Sequence, residues 1–386
     1  MKISKEEALQ YHRAKRGKIG IAAKTAIRTK RDLSLAYTPG VAFVSQAIAE
    51  NKKLDRELTN KGNSVAIITD GTAVLGLGNI GPEAAIPVME GKSAIFKSFA
   101  NIDAYPISIK ETDPKKLIAI IEALAPNYAG INLEDISAPR CFEIETELRK
   151  RLDIPVFHDD QHGAAVVALT ALMNALRVTK KKAEEIQIVV NGAGAAGIAT
   201  THLLLAYGVR HITVVDKQGI LHQKAKGMHK YQVEVAKLTK PKRRGGLAEA
   251  VKGADVFIGF SVGNVLTKAM VASMAEKPIV FALANPTPEI DPAEAKKAGA
   301  YIIATGRSDY PNQINNAYVF PGLFRGLLEA GASEINSESL ICAAICLSGL
   351  VKHPTPLNIM PSLFDKRVVE TVAFSIQNSG VCVCKY

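Results

Sequence analysis

A glycine-rich turn between a strand pattern and a helix pattern constrains this fold more than any other feature of the sequence. Residues 186–190 form an apolar run of strand length, and residues 195–207 have the spacing of a helix. Gly192, Gly194 and Gly197 lie at the junction with the spacing G-x-G-x-x-G. In that order they permit a tight turn, a close approach of the backbone to a pyrophosphate, and close packing of the helix on the sheet. The sequence therefore predicts a dinucleotide site at the N-terminus of this helix.

The strand pattern after this helix ends in an acidic residue. Residues 211–215 form the strand, and Asp216 follows, 19 residues after Gly197. A carboxylate at this distance can bind ribose hydroxyls. Because it would repel the 2′-phosphate of NADP, Asp216 favours NAD, whereas Lys217 and the basic stretch 223–246 leave NADP possible. The predicted cofactor-binding residues of this segment are Gly192, Gly194, Ala195, Ala196, Gly197 and Asp216.

Strand patterns alternate with helix patterns along most of the chain, which is typical of an α/β fold with a parallel sheet. A chain of 386 residues is long enough for two or three domains. We predict an N-terminal α/β domain over residues 1–160 and a Rossmann-like, doubly wound parallel-sheet domain over residues 161–386. The last part of the chain, about 60 residues, has helical patterns and could fold back on the first domain. The predicted strands are 65–69, 107–109, 129–133, 154–157, 186–190, 211–215, 256–259, 279–283 and 301–304. Segments between them have helical spacing, for example 114–124, 141–151 and 164–177.

Two predicted strands each end in a pair of acidic residues. Glu134 and Asp135 follow strand 129–133, and Asp159 and Asp160 come just after strand 154–157. In an open α/β sheet, ligands bind beyond the carboxyl ends of the strands. Four carboxylates brought there would repel one another unless a cation were bound. Oxygen ligands of this kind favour Mg²⁺ or Mn²⁺ over Zn²⁺.

The acidic pairs and their neighbours also allow alternative roles. Any single acidic residue could instead cap a helix. His158 and His162 are four residues apart, a spacing that can place two imidazoles on one helix face and that would suit zinc. A tetrahedral site is also conceivable among four cysteines, although their apolar surroundings favour core packing. These cysteines are Cys342, Cys346, Cys382 and Cys384.

The net charge of +11 is concentrated in two segments. Residues 1–60 hold 13 basic and 6 acidic side chains, and residues 223–246 hold 8 basic and 1 acidic. Such a charge could serve nucleic-acid binding. The chain has no Trp and only 6% aromatic residues, however, so it offers few surfaces for base stacking. We favour solvated basic faces that attract a small anionic substrate, and we expect no nucleic-acid partner.

The sequence favours a cytoplasmic protein without membrane association. Its clean apolar stretches are far shorter than the roughly 18 residues that a membrane-spanning helix needs. Lys2, Lys5, Glu6 and Glu7 occupy the place of the apolar core of a signal peptide. Five cysteines with scattered spacing fit a reducing compartment.

Two residues are candidates for proton transfer. Oxidation of an alcohol by a nicotinamide requires a base for the hydroxyl proton. Lys92 follows a glycine-rich stretch, and a nearby divalent cation would lower its pKa toward that role. Tyr37 places a phenol on a rigid Tyr-Thr-Pro-Gly turn. On composition alone, each would be an ordinary surface or core residue.

A second G-x-G-x-x-G pattern occupies residues 76–81. It follows strand 65–69 at a distance, and no strand that ends in an acid lies about 20 residues further on. We therefore predict that this segment is a glycine-rich loop that shapes a substrate pocket rather than a second dinucleotide site.

Eight segments spread along nearly the whole chain match one known family in that family's order. They are residues 37–40, 69–81, 87–92, 132–136, 158–163, 192–197, 284–289 and 306–316. Together they resemble the malic enzyme family in its short bacterial and archaeal form. The resemblance implies oxidative decarboxylation of L-malate to pyruvate and CO₂ with NAD or NADP, and a homodimer with the first ~40 residues as a candidate contact.

The resemblance also implies roles for individual residues. Lys92 would be the general base that takes the hydroxyl proton as hydride leaves C2, and Tyr37 would be the general acid that protonates C3. Asn285 would contact substrate and nicotinamide, with Asn316 and Asp159 beside the substrate. The implied ligands of Mg²⁺ or Mn²⁺ are Glu134, Asp135 and Asp160.

The sequence departs from the larger eukaryotic members at one position. Those members carry a substrate-binding arginine shortly after an Asp-Gly pair, whereas Gly71 is followed here by Thr72 and Ala73. Another cation must then hold the distal carboxylate. One short relative acts as a soluble oxaloacetate decarboxylase without net redox, and a larger one acts as a malolactic enzyme. The intact glycines and Asp216 favour a malic enzyme over the decarboxylase.

Overall fold

The computed structural model describes residues 3–378, which contain two sheets of mainly parallel strands joined by one long helix. The strands of the first sheet are β1 (Ser64–Thr69), β2 (Asp103–Ser108), β3 (Gly130–Leu133) and β4 (Val156–His158). They lie in the order β2-β1-β3-β4, and all neighbours are parallel. Two of the four cysteines of the conceivable tetrahedral site, Cys382 and Cys384, lie outside the described residues.

Helices cover this sheet with apolar faces. They are α5 (Pro82–Ala100), α6 (Pro114–Leu124) and α7 (Arg140–Arg151), preceded by α1 (Lys5–Lys15), α2 (Lys30–Ala36), α3 (Gly40–Glu50) and α4 (Asp55–Leu58). The predicted helix at 114–124 is confirmed at both ends. Asp113 caps it by accepting a 3.0 Å hydrogen bond from the N–H of Lys116, and Pro114 suits its first turn.

The second sheet contains the strands β5 (Gln187–Asn191), β6 (His211–Asp216), β7 (Gly219–Ile220), β8 (Val256–Gly259), β9 (Ile279–Ala282) and β10 (Ile302–Thr305). Their order is β10-β9-β8-β5-β6-β7, and the pairs are parallel except for the antiparallel β6–β7 pair. Its helices are α9 (Ala195–Tyr207), α10 (Lys230–Thr239), α11 (Leu247–Val251), α12 (Lys268–Ala272) and α13 (Pro292–Lys297). The two-residue strand β7 was not predicted, because it is too short to show a periodic pattern.

For two elements, the predicted first residue lies after the first residue that the structure shows. The strand expected at 107–109 is β2, which begins at Asp103. Polar Asp103 and Pro106 conceal the pattern, and Pro106 is tolerated because β2 lies at an edge of the sheet. The helix expected at 164–177 is α8 (Asp159–Thr179). Its polar first turn hides its true start from a pattern of apolar residues.

Helix α8 is the central helix of the molecule. It runs directly from β4 and packs against α9 and against α15 (Ser337–Ser348). Its length and mean hydropathy would suffice for a membrane span, but 83% of the apolar stretch is buried inside the protein. Its apolar composition is therefore explained by its position in the core, where it connects the two sheets.

The C-terminal helices fold back on the first sheet, as the sequence suggested. Helix α14 (Phe320–Ala330) packs against α5 and α16 (Arg367–Gln377). The ring of Phe96 contacts those of Phe320 and Phe324, with centroids 4.7 and 5.5 Å apart. Arg325 donates to Oδ1 of Asn63 at 3.0 Å. These contacts fix the C-terminal region on the layer that carries α5.

The N-terminal segment, residues 3–63, contrasts with the rest of the described chain. It contains α1 to α4 and two short 3₁₀ helices, yet none of its side chains is buried. Several apolar side chains stand in solvent, among them Ile21 at 99% and Phe43 at 73% exposure. A segment with so much exposed apolar surface has the character of a contact surface.

Candidate active site

A cleft of about 680 Å³ opens between the two sheets. Its walls are formed by residues that follow β3 and β4 in the first sheet and β8, β9 and β10 in the second. Both sheets therefore direct the carboxyl ends of their strands toward the same space, where α/β folds bind ligands. The charged residues of this lining are Lys18, Lys92, Glu134, Asp135, Asp159 and Asp160.

Three carboxylates converge at one point of the cleft. Glu134 and Asp135 directly follow β3, and Asp160 lies in the first turn of α8. One carboxylate oxygen of each lies within 4.8 Å of the others. The backbone of Asp135 has a φ of 54°, which Asp adopts more readily than most residues, and its N–H donates to Oδ2 of Asp160 at 2.8 Å. The turn after β3 and the start of α8 are thereby held together.

The electrostatics of these carboxylates favour a bound cation. Burial raises the pKa of Asp135 to about 8, and the charge of Asp160 adds to this effect. Burial also raises the pKa of Glu134 well above its ordinary value. Oδ2 of Asp135 is buried and has no hydrogen-bond partner among the described residues. A divalent cation bound by these hard oxygen atoms would relieve the repulsion and satisfy that oxygen, so the donor set fits Mg²⁺ or Mn²⁺.

Lys92 lies beside this cluster. Its ammonium group is buried and pairs with the carboxylates of Glu134 and Asp159. The ring centroid of Phe320 lies 4.4 Å from Nζ. Burial by itself lowers the pKa of Lys92, but Asp159 and Glu134 outweigh it, and the net shift is upward. The amine is therefore held at one position, largely shielded from solvent.

Asn316 extends this arrangement toward the second sheet. It begins a 3₁₀ helix, Asn316–Tyr318, and its Nδ2 donates to Oδ2 of Asp159 at 3.2 Å. Asp159 thus accepts hydrogen bonds from Lys92 and Asn316 at once. A chain of polar contacts runs from α5 to the residues that follow the second sheet.

The predicted dinucleotide turn has the geometry that its sequence requires. Gly192 has a φ of 114°, and a Cβ at Gly197 would collide with the carbonyl oxygen of Gly192. A Cβ at Gly194 would meet nothing within 4 Å, so open space faces this residue at the N-terminus of α9. Ala195 is the first residue of that helix, and Ala196 lines the cleft. The turn therefore offers a backbone cradle for a phosphate group.

Asn285 lies in the loop after β9 and lines the same cleft. The loop is anchored by the buried carboxylate of Glu289, which accepts hydrogen bonds from the N–H groups of Ala284 and Ser261, both at 3.0 Å. Burial raises the pKa of Glu289. Because Ser261 follows β8, Glu289 ties the loops after two neighbouring strands together. Sequence reasoning had not singled it out.

Asp216 is the last residue of β6, away from the acidic cluster. Its Oδ2 accepts a hydrogen bond from Nε2 of Gln232 at 2.8 Å, and its Oδ1 accepts one from the N–H of Lys217 at 2.8 Å. Nε2 of Gln232 also donates to the carbonyl oxygen of Ala193 at 3.3 Å, so these contacts hold the Asp216 carboxylate beside the glycine turn, at the end of the strand where a ribose would be expected.

Two family models match the chain. The model for the malic enzyme NAD-binding domain matches residues 161–381, and the model for the malic enzyme N-terminal domain matches residues 16–118. The chain belongs to the malic enzyme family. The α/β fold class and the resemblance expected from the sequence are therefore confirmed.

Individual members of the family are similar in sequence to this chain over most of its length. The bifunctional malic/malolactic enzyme of Bacillus subtilis is 49% identical over 381 residues, covering 98% of this chain and 93% of that enzyme. The NAD-dependent malic enzyme of Geobacillus stearothermophilus is 53% identical over 360 residues, covering 92% and 75%. The crystal structure of an NAD-dependent malic enzyme from Thermotoga maritima superposes with a TM-score of 0.93 at 47% identity, covering 96% and 98%.

Most of the residues that the family resemblance singled out meet in the cleft. The lining contains the candidate base, the acidic residues, two asparagines and one alanine of the glycine turn. The family's glycine-rich loop also lines it, as predicted, and a Cβ at Gly76 would collide with the carbonyl oxygen of Asn285. The residues brought together are Lys92, Glu134, Asp135, Asp159, Asp160, Ala196, Asn285 and Asn316.

Tyr37 is not brought to this cleft within a single chain. It follows α2 in the N-terminal segment, and its side chain is 66% exposed. The described lining of the cleft does not include it. The role of general acid that the resemblance implied for Tyr37 therefore has no support from the contacts within a single chain.

The histidine pair serves the packing of α8 rather than a zinc site. Nε2 of His162 lies 2.8 Å from Oε1 of Glu145, and Nε2 of Gln161 donates to Oε2 of Glu145 at 2.9 Å. His158 is buried at the end of β4, and its backbone N–H donates to Oε1 of Glu145 at 3.2 Å. Within residues 3–378, the one metal-competent group of three or more residues is the carboxylate cluster. Glu145, which sequence reasoning missed, anchors the turn that carries Asp160.

Proposed function

We propose that this chain oxidatively decarboxylates L-malate to pyruvate and CO₂ while reducing NAD⁺. The observation that carries the proposal is the position of Lys92, buried against Glu134 and Asp159 beside the carboxylate cluster. The same cleft reaches the start of α9 at Ala196. Oxidative decarboxylation of this kind uses a base, a Lewis-acid cation and a nicotinamide around one carbon atom, and we assign all three to this cleft.

Glu134, Asp135 and Asp160 would hold Mg²⁺ or Mn²⁺. When bound, such a cation supplies Lewis-acid stabilisation of the enolate oxygen that forms during decarboxylation, and its charge lowers the pKa of the neighbouring amine. The alternative of zinc bound by histidines has no support in the contacts of His162, which are made with Glu145.

Lys92 would accept the proton of the C2 hydroxyl as hydride passes to the nicotinamide. Its pairing with Glu134 and Asp159 holds Nζ in place, and Phe320 limits access of water to it. Asn316 would orient Asp159 and the substrate, and Asn285 would contact the substrate and the nicotinamide ring. In these roles the side chains would fix the distance between the base and the reacting carbon, and such positioning is a large part of catalytic power.

The family role of Tyr37 leads to a proposed homodimer. The N-terminal segment exposes apolar side chains such as Leu35 and Phe43, at 65% and 73% exposure. We propose that this segment packs on a second copy and brings Tyr37 to the second copy's cleft, where its hydroxyl protonates C3. Mixing Tyr37→Phe and Lys92→Ala subunits tests this arrangement. Recovered activity supports it, whereas an inactive mixture of demonstrated heterodimers contradicts it.

The cofactor proposal is NAD, with NADP as the alternative. In this proposal the carboxylate of Asp216 would face the position of a 2′-phosphate, and repulsion between them would disfavour NADP. The basic side chains near Lys217 act in the opposite direction. A higher kcat/KM with NADP⁺ than with NAD⁺ would refute the preference.

The decisive experiment is reduction of NAD⁺ and of NADP⁺ by L-malate with Mn²⁺, with pyruvate and lactate assayed in the same tube. Equal amounts of reduced cofactor and pyruvate are expected. Pyruvate from oxaloacetate without any reduced cofactor from malate would instead indicate a decarboxylase, which the intact glycine turn disfavours. Lactate as the main product would indicate the malolactic reaction, which is part of the name of the Bacillus subtilis relative.

We also propose that the enzyme acts in the cytoplasm. Cys141 is a buried thiol in the core of the first sheet, which fits a reducing compartment. Fractionation of cells, with detection of the chain in the soluble cytoplasmic fraction, tests this placement.

A further inference from the structure

One basic residue of the cleft has no part in the chemistry described above. Among the described residues, Lys18 and Lys92 are the basic side chains of the lining. Lys92 is already paired with Glu134 and Asp159. Malate carries two carboxylates. The proposed cation would offset the charge of the carboxylate at C1, and the other groups with assigned roles act at C2 and C3. A charge-assisted partner for the carboxylate at C4 is still needed, and Lys18 is the remaining cation.

The ammonium of Lys18 lies against the helix that carries the base. Its Nζ donates to the carbonyl oxygen of Pro87 on α5 at 2.6 Å. A Cβ at Gly91 would stand 3.4 Å from this Nζ, so the amine lies over the bare backbone of the residue before Lys92. Lys18 thus reaches the cleft from the N-terminal segment and lies beside the turn of α5 that precedes Lys92.

The backbone around Lys18 is held so that its side chain enters the cleft. Arg16 and Gly17 have φ values of 51° and 99° and reverse the chain after α1. Oε2 of Glu90 accepts a hydrogen bond from the backbone N–H of Lys18 at 3.1 Å, and the charge of Glu90 also attracts the ammonium group. An ammonium group has three donors, and the bond to Pro87 uses one of them. Two donors remain for an anion.

Arg140 is a second cation to consider, because it contacts the loop after β1, whose Ala73 lines the cleft. Its Nη2 donates to Oδ2 of Asp70 and to Oγ1 of Thr72, both at 2.8 Å. Its charge is therefore matched by a buried carboxylate, and it is outside the described lining of the cleft. We therefore assign Arg140 to the stability of the loop after β1 and Lys18 to substrate binding.

We propose that Lys18 binds the C4 carboxylate of malate and thereby determines the preference for a four-carbon dicarboxylate. The proposal rests on the proposed function. Hydride transfer leaves the charge at C4 unchanged, and loss of CO₂ removes it. The ion pair between Lys18 and the C4 carboxylate therefore stabilises the bound substrate more than it stabilises either transition state. Loss of this ion pair should raise KM and leave kcat nearly unchanged.

The test compares Lys18→Met and Lys18→Arg with the control Lys15→Met, which removes an exposed lysine from the same segment. For Lys18→Met, the KM for malate should rise about 10- to 100-fold, as expected for a hydrogen bond between charged groups, while kcat changes by less than about threefold. Lys18→Arg should recover part of the affinity. Lys15→Met should behave as the wild type.

Oxalate provides the matched ligand control, because it can occupy the C1 and C2 positions but has no distal carboxylate. With Mn²⁺ present, calorimetry should show a rise of about 10- to 100-fold in the Kd of malate for Lys18→Met and an unchanged Kd of oxalate. An equal loss for both ligands, or an unchanged malate affinity, overturns the proposal. Since binding needs no turnover, a wild-type protein that binds malate without oxidising it refutes only the proposed function.

Discussion

Neutralising Asp135 should stabilise the metal-free protein while removing its response to metal. Burial and the charge of Asp160 raise the pKa of Asp135 from 3.8 to about 8. At pH 7 the unfolded carboxyl is ionised, whereas the folded one is largely protonated. Folding therefore takes up close to one proton, which costs up to about 4 kcal/mol. Since the folded pKa is the higher one, this cost grows as pH rises from about 4 to 8.

Asp135→Asn removes this cost without changing the shape of the side chain. Asn also tolerates the left-handed backbone conformation at this position, where φ is 54°. Because Glu134 and Asp160 share the repulsion, we expect the free energy of unfolding of the metal-free protein to increase by about 1–4 kcal/mol at pH 7. Mn²⁺ should stabilise the wild type by mass action, and this stabilisation should be lost in the variant.

The measurement is urea unfolding followed by circular dichroism, after removal of metal with a chelator and again with Mn²⁺. Asp153→Asn is the control, because Asp153 is an exposed carboxylate of the same domain. The reasoning is refuted if metal-free Asp135→Asn is no more stable than the wild type at pH 7. It is also refuted if Asp153→Asn produces the same gain.

Three further predictions concern single side chains. With Mn²⁺ present, Lys92→Ala should lower kcat for malate by about 10²–10⁴-fold while calorimetry shows unchanged NAD affinity, and retained activity would exclude Lys92 as the base. Asp216→Ser should raise the ratio of kcat/KM for NADP⁺ to that for NAD⁺ by about tenfold, and an unchanged ratio would remove Asp216 from cofactor discrimination. Burial lowers the pKa of His202. Because the unfolded imidazole binds a proton near pH 6.5 and the folded one resists it, stability should fall on acidification through that pH. His202→Gln should lose less stability in urea unfolding between about pH 7.5 and 5.5, and an equal loss would contradict this account.

Local patterns were sufficient for much of the fold. The helix at 195–207 and the helix at 114–124 were predicted with the bounds that the structure has. Both are defined by caps, glycines or prolines next to a clear apolar spacing. The strand β2 was predicted only in its last part, because Asp103 and Pro106 break that spacing. A strand cannot be predicted from its apolar spacing where polar residues interrupt that spacing, even when hydrogen bonds to a neighbouring strand hold those residues in the sheet.

Much of the candidate site could also be predicted, because acidic pairs at the ends of strands and a glycine turn before a helix are local features. Glu134, Asp135 and Asp160 meet as the strand pattern indicated, and Lys92 lies against them. Glu145 and Glu289 could not be predicted in the same way. Each is one glutamate among many in the sequence, and only burial against particular backbone N–H groups distinguishes it.

The sequence by itself established the glycine turn, the acidic pairs and the family, since each depends on residues that are close together in the chain. The tertiary structure decided which distant residues share the cleft. It brings Lys18 to Pro87 and Gly91 across about 70 positions of sequence, and it leaves Tyr37 exposed and outside the cleft. Such pairings depend on how helices pack after the chain has turned, and no local spacing of residues encodes that packing.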